Sequence, residues 1–486
     1  MPKLQTAGGQ GSSLRSGARE TISPAPLLPS AASSPALFAI LLAYLLLGYL
    51  YASRTPAWQV PDEPAHYNVI RQIAQTGALP KLEPGDYDQD YLGRVVGAGF
   101  PPDLALDGVQ YQDYQPPLYY LLATPVFILF AGALLPLRLF SLILGAGGVI
   151  FAFLAVRELF PLRPLLALTA AGFIAFIPQH IAMLAGVNND SLSELIIALG
   201  LWLILRENNR RLKNGCWWLG VVLGLALLTK VQAYVLVPVF ALYIILQWRR
   251  ARPAHTMDWR GLLRWSLTVF GIGLALGALY WGRNWFVCGP ADFVCGNWHN
   301  HVVIGQPTTR EWITEYGWWG REQSLLPRLF KFTFDSFWGV FGWMGVFMPE
   351  RIYKILLTFT LLLVIGAAGA LRPWRVFSMT ERDGLTLLAA SALTTCALYL
   401  YYNFNFVQHQ GRYLFPALIP IALAVALSLE QWDKWLVGLM AYTTRNSKLE
   451  TRLTSHLPSL LSLLLLASLA FLALYRFIIP ALPNWG

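Results

Sequence analysis

The sequence predicts an all-α polytopic membrane protein with about eleven transmembrane helices, and three observations carry that prediction. Of 486 residues, 56% are hydrophobic, 14% aromatic and only 13% charged, a composition outside the range of soluble domains. Several apolar runs reach about 20 residues, the length a helix needs to cross a hydrocarbon layer of roughly 30 Å. These runs are continuous rather than alternating, which selects helices over the strands of a closed barrel.

The chain opens with 34 residues rich in Gly, Ser, Ala and Pro, read as a disordered cytoplasmic tail. The run SPALFAILLAYLLLGYLYASR that follows is too long for a signal-peptide core and has no convincing small-residue cleavage site, so it reads as a retained first span. Residues 35–430 then form a transmembrane module, with a first outer loop at 53–136, bearing membrane-surface helices, and a second large outer loop at 282–350. Residues 431–486 supply a cytoplasmic loop and a final span.

Topology turns on the stretch from Pro117 to Pro164. Two spans there would flip everything downstream. One surface helix interrupted by Pro125, followed by one span, brings the chain inside at Arg157 and Arg163. Only the one-span reading puts the basic clusters at 206–215, 247–264, 372–375 and 448–452 all in the cytoplasm, as the positive-inside rule requires. The N-terminus is then inside and the C-terminus outside. The same rule accounts for the net charge of +10 without nucleic acid. Four cysteines exclude a disulfide scaffold, and no zinc-type spacing is present. Cys288 and Cys295 form the one plausible bridge.

With that parity, the outer ends of the spans carry a set of polar residues. Asp62 and Glu63 lie in the first outer loop, and Asn188, Asn189 and Asp190 follow the third span. Lys230 ends the fifth and Arg283 the seventh; His409, Arg412 and Tyr413 precede the tenth. Asp62 and Asp190 are suited to abstracting a proton or to holding a divalent cation by oxygen ligation. Lys230, Arg283 and Arg412 offer charge-assisted hydrogen bonds to phosphate. An acid beside a phosphate clamp at a membrane surface points to a lipid-phosphate substrate. Aromatics crowd the outer loops in WITEYGWWGREQ and FDSFWGVFGWMG, suited to stacking on sugars or to anchoring helices at the headgroups.

Taken together, PDEPAHY after the first span, QPPLYY at the next apolar stretch, NND after the third span and LTK at an outer helix end resemble the membrane-embedded GT-C glycosyltransferases. The layout is similar to that of protein O-mannosyltransferases and aminoarabinose transferases. FWGVFGWM and HQGRYLFP look closer to an uncharacterised bacterial branch with the same N-terminal motifs. The resemblance covers most of residues 35–420 and implies transfer of a hexose or pentose from a polyprenyl-phosphate donor to a lipid, glycan or protein acceptor at the outer face of the plasma membrane. It implies a general base at Asp62, with Glu63 as second candidate, inversion at the anomeric carbon, and no cofactor beyond the divalent cation that Asp62 and Asp190 could share. Mannosyltransferases of this class carry His before Pro-Pro-Leu; here that position is Gln115, so a role of that His does not transfer.

The candidate substrate-binding residues are thus His66, Asn189, Asp190, Lys230, Arg283, Arg412 and Tyr413. Each has a plainer reading. Asp62 is placed to cap a helix beginning at Pro64, Asp190 to cap the fourth span, and Lys230 and Arg412 to snorkel toward headgroups. His66 lies four residues after Asp62, on the same helical face, to orient it or simply to pack. His299 and His301 lack a third metal partner. A flippase or transporter of an amphipathic lipid, and a non-catalytic envelope assembly protein, are the alternative functions. The charges sit at span ends rather than at the midplane, and no internal repeat is visible, which weighs against a coupled transporter.

Overall fold

The computed structural model describes residues 34–208, 216–251, 259–372, 374–443 and 456–484. The expected disordered tail, apart from Ser34, and the basic cluster at 448–452 lie outside the described residues.

The first apolar run forms α1 (Ser34–Arg54), which ends where Pro56 disfavours helical geometry at Thr55. The polar stretch beyond it folds into α2 (Glu63–Thr76) and α3 (Gln89–Ala98), each closed by a glycine in the left-handed conformation, Gly77 and Gly99. Next comes α4 (Leu118–Leu129), whose 12 residues span only about 18 Å, too little to cross a membrane. The 26-residue α5 (Leu134–Leu159) does have the length, which is the one-span reading of this region.

After α5, α6 (Pro164–Phe176) and α7 (Pro178–Leu184) meet at a 65° bend. Pro178 forces the preceding Ile177 into extended geometry (φ −68°, ψ 119°) and starts a new helix at its own first position. Then follow α8 (Asp190–Asn208) and α9 (Trp217–Leu227). A 3₁₀ turn at Val231–Val235 leads into α10 (Leu236–Ala251), and α11 (Trp259–Val287) comes next.

The segment after α11 holds α12 (Gly296–Val302), α13 (Thr309–Tyr316) and α14 (Leu325–Trp338). It ends in an antiparallel hairpin of β1 (Val340–Phe341) and β2 (Val346–Phe347), with Val340 opposite Phe347. Two long helices, α15 (Glu350–Leu371) and α16 (Met379–Asn405), precede a 3₁₀ turn at Gly411–Ala417 that runs into α17 (Leu418–Thr443). The last helix is α18 (Leu457–Leu472), prolonged to Ala481.

The architecture is the helical, multi-pass one expected. Among the described residues, eight helices are long and apolar enough to cross a membrane, nine if the bent α6–α7 pair is one span. The expected eleven also counted α8 and α9. The first of these carries Asp190, Glu194, Arg206 and Glu207, and the second is only 11 residues long, so neither qualifies by length and composition.

In the bundle, α5 packs against α8 and α6, α9 against α11, and α15 against α17. The α9–α11 contact is backbone-close: a Cβ on Gly220 would lie 2.8 Å from the Cβ of Ile272 and 2.9 Å from the Val269 carbonyl oxygen.

Two ends result. At one, Asn208 of α8 accepts from Gln247 and Arg250 of α10, and Arg250 pairs with Asp383 of α16; Arg163 pairs with Glu430 of α17 at its own helix junction. At the other end the segment between α1 and α4 and the segment after α11 fold onto each other. Trp298 Nε1 donates to the Leu82 carbonyl (2.7 Å), and Tyr280 OH donates to the Tyr114 carbonyl. The aromatic stretch at 333–349 stays there too: Val340 N–H donates to Gln179 Oε1 and Trp343 Nε1 to the Trp58 carbonyl, both at 2.9 Å. It turns back rather than crossing.

Candidate active site

Asp62 sits at the N-cap position of α2, yet its side chain caps nothing. Its backbone is left-handed (φ 68°, ψ −4°), a conformation that costs a non-glycine residue about 1–3 kcal/mol unless the surroundings hold it. What holds it is its side chain's own partners: Tyr111 OH donates to Oδ1 at 2.8 Å and Arg412 Nη2 to Oδ2 at 2.7 Å. Burial raises the pKa of this carboxyl. The charge of Arg412, the nearby His66 and the hydrogen bonds from Arg412 and Tyr111 outweigh burial and hold it down at about 2.

Arg412 reaches Asp62 because of the glycine before it. Gly411 N–H donates to Ser336 Oγ (2.7 Å), and a Cβ at Gly411 would stand 2.3 Å from the Phe337 nitrogen and 2.4 Å from the Thr333 carbonyl oxygen. Only glycine lets this turn lie against α14.

A second pair stands beside the first. Asn188 Oδ1 accepts from the Asp190 N–H (2.9 Å), so Asn188 satisfies the first turn of α8 and the Asp190 carboxylate is free to take Lys230 Nζ at 2.6 Å. His66, on α2, lies within electrostatic reach of all four charged groups, Lys230, Asp62, Asp190 and Arg412. Burial and Lys230 push its pKa down to about 3, against the opposing pull of the two acids, so the ring is neutral near pH 7.

Glu63 behaves differently from its neighbour. Its Oε1 accepts from Arg138 Nε (2.7 Å) and from the Val187 N–H (3.1 Å), and its Oε2 from Arg138 Nη2 (2.6 Å) and the Trp58 N–H (3.0 Å). The side chain is 0% exposed and Arg138 only 4%. Arg138 also donates to the carbonyls of Ala52, Thr55 and Pro56. With both oxygens filled and no access to solvent, Glu63 is placed as an anchor of the loop carrying Asp62, not as an alternative base.

Of the remaining candidates, Tyr413 lies under the Arg412 guanidinium (5.3 Å to the ring centroid) and edge-on to Tyr402. Asn189 stands by Gln115 and Tyr120. Arg283 is not brought to the acid pairs. It donates to the Pro80 carbonyl and to Asn284 Oδ1, tying the end of α11 to the segment between α2 and α3. Cys288 and Cys295 are bridged at this same end. His299 stacks on Tyr114, and His301 on Trp298.

Tyr111, Tyr120 and Arg138 are not among the residues that the sequence singles out. The signal for Arg138 was present as a lone arginine inside the apolar run LLPLRLFSLIL, where a charge demands a partner. Tyr120 lay in QPPLYY, but nothing in that motif says which tyrosine faces the acids.

Several buried polar atoms of residues in or beside the pairs, Arg412 Nε, Asn188 Nδ2 and Asn189 Oδ1, have no hydrogen-bond partner among the described residues. A site with two acids, two cations, a neutral imidazole and such spare atoms is equipped to bind an anionic, hydroxyl-rich ligand and to remove a proton from it.

Residues 114–276, a third of the chain, match the family model described as dolichyl-phosphate-mannose-protein mannosyltransferase. The match takes in Asn189, Asp190 and Lys230 and stops short of Asp62 and Arg412. It agrees with the resemblance to membrane glycosyltransferases drawn from the motifs. Comparison with curated protein sequences gives no match.

Among solved structures, the chain is similar to the S. cerevisiae protein O-mannosyltransferase Pmt1-Pmt2 complex bound to the sugar donor, with TM-score 0.38 and 16% identity, covering 53% of this chain and 36% of that one. It is similar to ArnT from Cupriavidus metallidurans bound to undecaprenyl phosphate, with TM-score 0.46 and 15% identity over 92% of this chain and 74% of that one. It is also similar to the oligosaccharyltransferase AglB from Archaeoglobus fulgidus in complex with an inhibitory peptide and a dolichol-phosphate, with TM-score 0.47 and 13% identity over 90% and 56%. The chain thus spans about a third of the Pmt chain's length and just over half of AglB's.

Proposed function

We propose that this chain is a glycosyltransferase that moves a sugar from a polyprenyl-phosphate-linked donor to an acceptor hydroxyl at the outer face of the plasma membrane. One observation carries the reading: Asp62–Arg412 and Asp190–Lys230, two acid–cation pairs drawn from four distant segments, stand together around a neutral His66 at one end of the bundle. The family match over 114–276 supports a lipid-phosphate sugar as donor class. The orientation is supported by the disulfide at the site end, which suits an oxidising compartment, and by Arg163 and Arg250 at the opposite end.

The resting pairs suggest how the donor activates the site. A phosphate offers Arg412 and Lys230 stronger, bidentate acceptors than the carboxylates they now hold. As Arg412 turns to the phosphate, Asp62 loses the charge that depresses its pKa while keeping the burial that raises it, and so becomes a better base. The acceptor oxygen then attacks the anomeric carbon as its proton passes to Asp62. The bond from that carbon to the phosphate oxygen breaks, and its electron pair leaves with the lipid phosphate, whose charge grows from −1 toward −2 against Arg412 and Lys230. A single displacement of this kind inverts the anomeric centre. The positive charge comes from side chains, so the reading needs no resident cofactor. Glu63, held by Arg138, keeps the Asp62 loop in register.

The test uses membranes containing the wild type or an equally abundant Asp62→Asn variant, given radiolabelled polyprenyl-phosphate hexoses or pentoses. Asparagine is nearly isosteric and tolerates the left-handed backbone. Transfer should fall by about 10²–10⁴-fold in the variant, the usual contribution of a general base, with abundance unchanged. The labelled lipid, glycan or protein fraction identifies the acceptor. A folded wild type that transfers no donor sugar to crude envelope acceptors overturns the reading in favour of a transporter or an assembly protein.

A further inference from the structure

His66 is 1% exposed and has one identified hydrogen bond, between Nδ1 and Tyr120 OH at 2.8 Å. Its ring stacks on Tyr120 with 24° between the planes. Tyr120 OH in turn lies 3.4 Å from Asn189 Nδ2, and that same amide nitrogen lies 3.4 Å from Gln115 Oε1. An amide nitrogen only donates, so in its contact with Asn189 the Tyr120 oxygen accepts. The phenolic proton is then free for His66 Nδ1, and with Nδ1 accepting it both contacts of the Tyr120 oxygen are satisfied. A neutral imidazole whose Nδ1 accepts carries its proton on Nε2. The relay from Asn189 through Tyr120 thus favours the Nε2–H tautomer of His66, and Nε2–H is then the remaining polar group of a ring placed among Lys230, Arg412, Asp62 and Asp190.

We propose that His66, held as the Nε2–H tautomer by Tyr120 and Asn189, donates a hydrogen bond to a phosphate oxygen of the lipid-linked donor, between the positions reached by Lys230 and Arg412. The proposal rests on the lipid-phosphate reading above. Charge explains why a neutral donor suits this place. Two acids and two cations sum to zero, and the bound phosphodiester brings −1. A third cation there would repel Lys230 and Arg412 while the substrate is absent. A neutral N–H does not, and its bond strengthens as the leaving phosphate gains its second charge. Gln115 and Asn189, in this view, act through Tyr120 as positioning residues.

Two measurements test this. In full-length protein labelled with ¹⁵N-histidine, the His66 resonances, assigned by their loss in His66→Gln, should show an unprotonated Nδ1 and a protonated Nε2 across pH 5.5–8. Addition of polyprenyl phosphate alone should shift Nε2. In the transfer assay, His66→Gln puts an amide N–H near the place of Nε2, whereas His66→Asn puts one near Nδ1. The Gln variant should keep kcat within about fivefold of wild type and the Asn variant should lose about 10²-fold, as when one preorganised donor is removed.

A protonated Nδ1, or Gln and Asn variants equally impaired with a wild-type pH limb near 6, would overturn the proposal, the latter by making His66 a base. Equal activity of both variants would overturn it as well. If the wild type transfers sugar but polyprenyl phosphate leaves Nε2 unmoved, this inference fails and the glycosyltransferase reading stands. If Nε2 moves and no sugar is transferred, the reverse holds.

Discussion

Asp62 and Glu63 are adjacent acids, each paired with an arginine from far along the chain, and they have opposite fates. Glu63 and Arg138 form a closed region: 0% and 4% exposed, every oxygen filled, three backbone carbonyls recruited as well. Asp62 and Arg412 form an open one, 22% and 7% exposed, with Arg412 Nε still unpartnered. A saturated buried pair has nothing to gain from a ligand, and breaking it strands a charge. An unsaturated pair at the rim of a site can exchange its partner for a phosphate. In the proposed mechanism, rigidity in the first region makes exchange in the second useful, because it would keep the Asp62 loop fixed as Arg412 turns to the phosphate.

The largest effect should come from breaking the closed region. Glu63→Gln strands the Arg138 charge and should cost about 3–5 kcal/mol, enough to abolish accumulation of folded protein. Thermal unfolding in detergent and membrane abundance would show it. A stable but inactive Glu63→Gln enzyme would instead bring Glu63 into the chemistry and erase the contrast.

The next effect sharpens the open region. The folded pKa of Asp62 is depressed, so its pairing contributes stability above about pH 4 and loses it as pH falls toward 2. Arg412→Gln removes the charge that depresses it. Burial then dominates, and the acid limb of transfer activity should move upward by about 1–3 pH units while the rate falls. An unmoved limb would mean that Asp62 is not the titrating base.

The smallest effects concern groups outside both regions. Arg283→Gln removes, among the described residues, the hydrogen bonds to Pro80 and Asn284 and should change the transfer rate about twofold at most. Chelation by EDTA should leave the rate unchanged, because Arg412 and Lys230 already supply the positive charge. Loss of activity restored by one divalent metal would show that Asp62 and Asp190 share an ion instead.

Much of the fold was legible before any coordinates. Membrane-spanning length is a local property of composition, so α1, α5, the α10–α11 pair and the last four long helices are readable along the chain. The gathering of Asp62, Asp190, Lys230 and Arg412 at one end followed from counting crossings. Spacing within one loop marks Cys288 and Cys295 as the one plausible pair, and the structure bridges them. The count of eleven included α8 and α9, which length and composition alone do not mark as spans, since α8 carries four charged residues and α9 has only 11 residues.

Partner choice was beyond the sequence. The bond between Asp62 and Arg412 joins positions 350 residues apart, and which of two adjacent acids takes which arginine depends on the direction each side chain leaves the backbone. A left-handed residue at position 62 turns one acid toward Arg412 and Tyr111 and its neighbour inward to Arg138. Hydrophobic length and charge bias sum over many residues and so can be read in one dimension. The rotation of helices about their axes, and hence the pairing of four charges, is set only when the bundle packs.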